Sequence, residues 1–141
     1  MDIHTYLGQV NHEPFDIILA DLFDDDSSID VWSEELVQLC YENLSEQGFL
    51  IINLLPHNPA AFTRLVNHIR NTFSKLTFCM TVPEHDNVLV FATRSKSGIA
   101  CSEELPQKAA LLEKKYPLEM ALYCDNILTT NASSPLFSHH R

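Results

Sequence analysis

Glycine is scarce in this chain. Gly8, Gly48 and Gly98 are the only three among 141 residues, and none stands in a GxGxxG or similar spacing, which leaves out a loop whose bare backbone cradles phosphate. Cationic residues are few as well: nine Lys and Arg face 19 Asp and Glu, for a formal net charge of -10. Such a surface repels a phosphate backbone or an anionic membrane and tolerates cationic ligands, so neither nucleic acid nor membrane is expected as a partner. The four cysteines, Cys40, Cys79, Cys101 and Cys124, form no CxxC pair. They read as reduced, small hydrophobes of a cytoplasmic protein, not as a zinc site or a disulfide frame. No apolar run is long enough to span a bilayer, no signal-peptide pattern opens the sequence, and no GxSxG elbow marks a hydrolase.

What is present is ordinary for one globular unit, with a hydrophobic fraction of 45% and a charged fraction of 20%. Its centre is the stretch Phe15-Asp16-Ile17-Ile18-Leu19-Ala20-Asp21-Leu22-Phe23-Asp24. The apolar run with β-branched Ile17 and Ile18 predicts a strand, Phe15 to Ala20, covered on both faces. It ends in acid, and in open α/β sheets the ligand crevice lies beyond the carboxyl ends of the strands. Asp21 and Asp24 are therefore expected at that rim, whereas Asp25 and Asp26 read as a solvated loop.

Around this strand the pattern alternates between helix and strand. Asp2 to Leu7 predicts a short helical turn, broken by Pro14. Ser33 is a good N-cap with Glu34 and Glu35 at the positive end of a helix dipole, and Leu36, Val37, Cys40 and Leu44 recur at helical spacing. Gly48 is expected to end that helix, and Phe49 to Leu54 to form a second doubly covered strand, parallel to the first. Asn58 and Pro59 open another helix, whose stripe is Phe62, Leu65, Val66, Ile69 and Phe73. Leu76 to Val82 and Val88 to Thr93 predict two more strands. The turn between them is too short for a crossover helix, so this pair should be antiparallel. Leu105 to Tyr116 and Leu118 to Leu128 read as helices, and Thr129 to Arg141 as a frayed tail.

Single polar residues carry weaker signals. Trp32 could close over a ligand, although a Trp just before a helix is more often a hydrophobic staple. His57 and His85 fall in loops where acid or base chemistry is conceivable but solvent exposure is commoner. His4, His12, His68, His139 and His140 have no ligand spacing.

The order strand, acidic loop, helix, Gly turn, strand, helix, strand, short turn, strand resembles the second half of a class I S-adenosylmethionine-dependent methyltransferase fold, and most closely the spermidine synthase (polyamine aminopropyltransferase) family. The likeness covers about Met1 to Thr93 and rests on four stretches. Asp2-x-x-x-Tyr6-Leu7 is similar to the family's Asp-x-x-x-aromatic-Leu turn, and Asp21-Leu22-Phe23-Asp24 falls where the family has Asp-x-x-Asp. Ser33 to Asn53 looks like its helix, Gly turn and fifth strand, and Val88 to Thr93 like its last strand. The resemblance implies an α/β, Rossmann-like, partial methyltransferase fold: a mostly parallel sheet ending in an antiparallel hairpin, with helices on both faces. Asp21 would be the catalytic carboxylate that holds and deprotonates the attacking amine, and Asp24 a second acid binding the same amine or polyamine. Asp2 and the amide of Ile3 would bind the adenine of decarboxylated S-adenosylmethionine or S-adenosylmethionine, and no metal is implied. The sequence departs from the family where Asp25 stands in place of its usual proline and where Leu54-Leu55-Pro56-His57 replaces a glutamine-containing stretch. The family's Gly-rich loop and N-terminal β-domain would lie upstream of Met1.

The expected organisation is a methyltransferase-like half over residues 1–94, a helical extension over 95–130 and a flexible tail over 131–141. Aminopropyl or methyl transfer to an amine is expected if the missing half is supplied, with weak or no activity otherwise. The alternative is a non-catalytic interaction or scaffold domain that keeps the fold. In the family's sheet the strand matching Phe15 to Ala20 is central, so here its edge should be covered by a second copy in a homo-oligomer, by a partner chain carrying the upstream half, or by the C-terminal segment.

Overall fold

A computed structural model describes residues 3–9, 13–22, 31–99 and 103–137. The elements follow in the order α1 (Ile3–Leu7), β1 (Phe15–Ala20), α2 (Glu34–Asn43), β2 (Leu44–Leu54), α3 (Pro59–Thr72), β3 (Thr77–Thr81), β4 (Val88–Thr93), α4 (Leu105–Lys115) and α5 (Met120–Thr130). The four strands form one sheet in the order β1-β2-β4-β3. β1 and β2 run parallel, and β4 lies antiparallel to both β2 and β3. The parallel pair and the antiparallel hairpin were both legible in the connection lengths; the insertion of β4 between β2 and β3 was not.

The caps agree with the sequence. Ser33 Oγ accepts from the Leu36 amide at 3.1 Å, and Asn58 Oδ1 accepts from the amides of Ala60 and Ala61, both at 3.1 Å, which satisfies donors a helix start leaves bare. Leu36, Val37 and Cys40 of α2, with Leu65 and Ile69 of α3 and Phe73 behind it, pack on Leu50, Ile52 and Leu54 of β2 and on Val90 and Ala92 of β4. Burial pushes the Cys40 thiol from its ordinary 9.0 up to about 12, which keeps it protonated and unreactive inside that core.

Gly48 does not end a helix. α2 stops at Asn43, whose Nδ2 donates to Leu39 O at 2.8 Å and to Leu7 O at 3.0 Å, and Gly48 sits inside the 11-residue β2. The reason is a shift in the β1–β2 register between Phe15 and Ile17: a Cβ at Gly48 would stand 2.8 Å from Phe15 O. The glycine is required by the close approach of two strands, not by a turn.

The opposite face is covered unevenly. Phe91 and Phe78 stack with centroids 4.8 Å apart, and Phe137 meets Phe78 edge-on at 5.5 Å, so α5 and the chain that follows it close over β3 and β4. Residues 131–137 are thus no frayed tail: Leu136 and Phe137 are buried. Asn131 anchors them, its Oδ1 accepting from the Cys79 amide at 3.0 Å and its Nδ2 donating to Cys79 O at 2.6 Å. One turn earlier Asn126 Oδ1 accepts from the Thr81 amide at 3.0 Å. Two asparagine side chains thereby occupy the outer edge of β3 as a neighbouring strand would.

β1 is treated differently. Ile18 and Ala20 face the core, but Ile17 and Leu19 on the other face are 61% and 68% exposed, so this strand is covered on one face only. Among the described residues no strand lies on its outer side, and the C-terminal segment, one of the expected covers, is committed to β3 at the far side of the sheet.

Candidate functional site

The site is built where β1 and β2 end. Ala20 pairs with Ile52, so Asp21, one step on, falls opposite Asn53. Asn53 Nδ2 donates to Asp21 Oδ1 at 2.9 Å. Across the next strand gap Asn87, just before β4, donates from its own Nδ2 to Asn53 Oδ1 at 2.9 Å. The β3–β4 turn that presents Asn87 is closed by the Val82 amide donating to Asn87 O at 2.9 Å, with Glu84 held at φ 63°.

This relay fixes more than distance. An asparagine side chain has one donor end and one acceptor end, and Asn87 engages the acceptor end of Asn53, so its NH₂ must point at Asp21. One carboxylate oxygen is thereby held in place. Oδ2 has no hydrogen-bond partner among the described residues, and the Asp21 side chain is exposed at the rim. A fixed, accessible carboxylate in such a position can bind an ammonium group and accept a proton from it.

Of the residues expected at the site, Asp21 is at the rim. Asp24 and Asp2 lie outside the described residues. Ile3 opens α1, where it is half-buried against the core cluster, and no hydrogen bond links it to Asp21. Trp32 lies in the same core cluster as Val37, consistent with a staple at the start of α2. His57 and His85 are exposed. Asn53 and Asn87 escaped sequence reasoning. The signal that could have found them is position: each is a polar residue at the same end of the sheet as Asp21.

Two described glycines test whether a nucleoside or methionine cradle is present here. A Cβ at Gly8 would meet His4 O at 3.0 Å, and one at Gly48 would meet Phe15 O at 2.8 Å. Both spaces are taken by the chain's own backbone, so neither glycine opens room for a ligand. Among the described residues no group of three His, Cys, Asp or Glu could hold a metal ion, and no helix is long and apolar enough to cross a membrane.

No family model matches the chain, and no curated protein matches it. Solved structures do. Human methyltransferase-like protein 13 in complex with SAH superposes with a TM-score of 0.70 at 18% identity, covering 81% of this chain and 56% of that one. Spermidine synthase in complex with the transition state analogue AdoDATO gives 0.59 at 21% identity, covering 88% and 45%. Spermidine synthase from Thermotoga maritima gives 0.51 at 21%, covering 74% and 36%. The fold is that of the Rossmann-like methyltransferases and spermidine synthases, and the chain spans between 36% and 56% of the length of these neighbours.

Proposed function

We propose that this chain supplies the acceptor side of a transferase of the spermidine synthase type, moving an aminopropyl or methyl group from an adenosylmethionine-type donor to a small amine. The observation that carries this is the Asp21 carboxylate, oriented by Asn53 and Asn87 at the carboxyl ends of two parallel strands. An ammonium is not a nucleophile; a carboxylate fixed beside it accepts the proton and retains the resulting amine. The net charge of -10 favours approach of a polycation. The donor cradle comes from elsewhere than the described residues.

The test is titration with putrescine, followed through the amides of Asp21, Asn53 and Asn87. Binding is expected in the parent and at least tenfold weaker in Asp21→Asn, which keeps the shape and removes the charge. No response to putrescine or to 5′-methylthioadenosine at millimolar concentration would favour the rival reading, a non-catalytic interaction domain.

We further infer that the outer side of β1 receives the polypeptide that carries the donor half. Ile17 and Leu19 are the exposed apolar residues of that strand, and Asp21 follows directly, so a segment docked there arrives beside the carboxylate. An uncovered strand of this kind is an aggregation template, so the 141-residue chain alone is expected to self-associate on concentration and Leu19→Lys to suppress it. A chain that sediments as a monomer with or without the lysine would overturn this assignment.

A further inference from the structure

We propose a second ligand site, on the core side of β3, for a small organic anion with an apolar body. A half-open cavity of about 370 Å³ lies there between α3 and β3, and the chain after α5 forms a further wall. That volume is within the range of small-molecule sites, roughly 300–1,000 Å³. β2 and β4 separate it from Asp21, which at about 4.8 Å per strand spacing is roughly 14 Å and too far for one small ligand to serve both.

The walls define the chemistry. Phe62 and Val66 of α3 give an apolar side. The polar side carries Arg70, Thr77, Ser133 and Ser134. In a chain with 19 acids, no carboxylate lines this cavity among the described residues, and Arg70 makes no ion pair among them. Its field reaches the site: burial pushes the Cys79 thiol up, and the Arg70 guanidinium pulls it partly back.

An independent observation also points to a ligand. Thr77 is only 5% exposed, and its hydroxyl has no hydrogen-bond partner. A buried polar group left unpaired is destabilising, and a guest in the cavity that accepts from this hydroxyl would relieve it. An unpaired cation, an orphan hydroxyl and an aromatic wall together select an aryl or branched carboxylate over a neutral molecule.

The experiment compares 2-naphthoate with uncharged 2-naphthamide, followed through the amides of Thr77, Cys79 and Thr81. The carboxylate is expected to bind at least tenfold more tightly, and Arg70→Gln, at an exposed helix position, to bring the ratio close to one. Thr77→Val is expected to weaken naphthoate binding several-fold while leaving the ligand-free protein as stable as the parent or more so, because it deletes the unpaired hydroxyl. Equal affinity for the two probes, or naphthoate binding unchanged in both variants, would overturn the proposal. Neither result bears on Asp21, whose test uses a cation at the other side of the sheet.

Discussion

Gly48→Ala is expected to remove about 3 kcal/mol of unfolding free energy, the upper end of what overpacking usually costs, measured by chemical denaturation. The added methyl would lie 2.8 Å from Phe15 O, 3.0 Å from Leu44 Cδ2 and 3.1 Å from the Ser45 amide. Two of those neighbours are backbone and cannot rotate away. Relief requires β1 to slide or the register shift between Phe15 and Ile17 to open. Either movement disturbs the pairing that sets Asp21 opposite Asn53, so the variant should also lose putrescine response ahead of global unfolding. Against a total stability of about 5–15 kcal/mol for a domain, this one methyl is a substantial fraction. A variant as stable as the parent would show that the strand ends accommodate it freely.

Asn131→Leu is expected to be comparably damaging, by about 2–4 kcal/mol, although it keeps the branched outline of the side chain. The carboxamide donates to Cys79 O at 2.6 Å and to Ile127 O at 2.7 Å while accepting from the Cys79 amide at 3.0 Å. Leucine leaves an amide and a carbonyl of β3 unpaired at a partly buried edge, and each such group costs about 1–3 kcal/mol. Amide exchange at Cys79 should accelerate more than at Val90, which is paired inside the sheet. Equal acceleration at both would mean that Asn131 holds the fold generally and not this edge. Asn131→Asp separates the two bonds, since it retains the acceptor for the Cys79 amide and loses the donor to the Cys79 carbonyl.

The two edges of the sheet explain each other. β3 carries its own side-chain cover in Asn126 and Asn131, whereas β1 has none among the described residues and exposes Ile17 and Leu19. One edge is finished by this chain, and the other is bare among the described residues. The uncovered edge is the one next to Asp21, which is why docking and chemistry are proposed at the same place.

Local features were legible in the sequence because they depend on a few adjacent residues. Ser33 and Asn58 cap helices whatever lies beyond them, the five-residue connection from Pro83 to Asn87 compels an antiparallel pair, and an apolar run ending at Asp21 marks a strand that delivers a carboxylate. The same reasoning misplaced Gly48 because a helix stop and a close strand contact require the same residue. It also treated the residues after Thr129 as a tail because hydrogen-bonding asparagines look polar in sequence however they are used.

The residues by themselves determined the periodicities, the caps, the direction of the first two strands and the acid at their end, all of which arise from interactions between near neighbours in the chain. Only the tertiary structure decided that Asn53 and Asn87 orient Asp21, that Asn131 closes β3 across 52 positions, and that Arg70 shares a cavity with Thr77. Each of these depends on strand register, because a slip of one residue in β2 or β3 would turn Asn53 or Thr77 to the opposite face of the sheet.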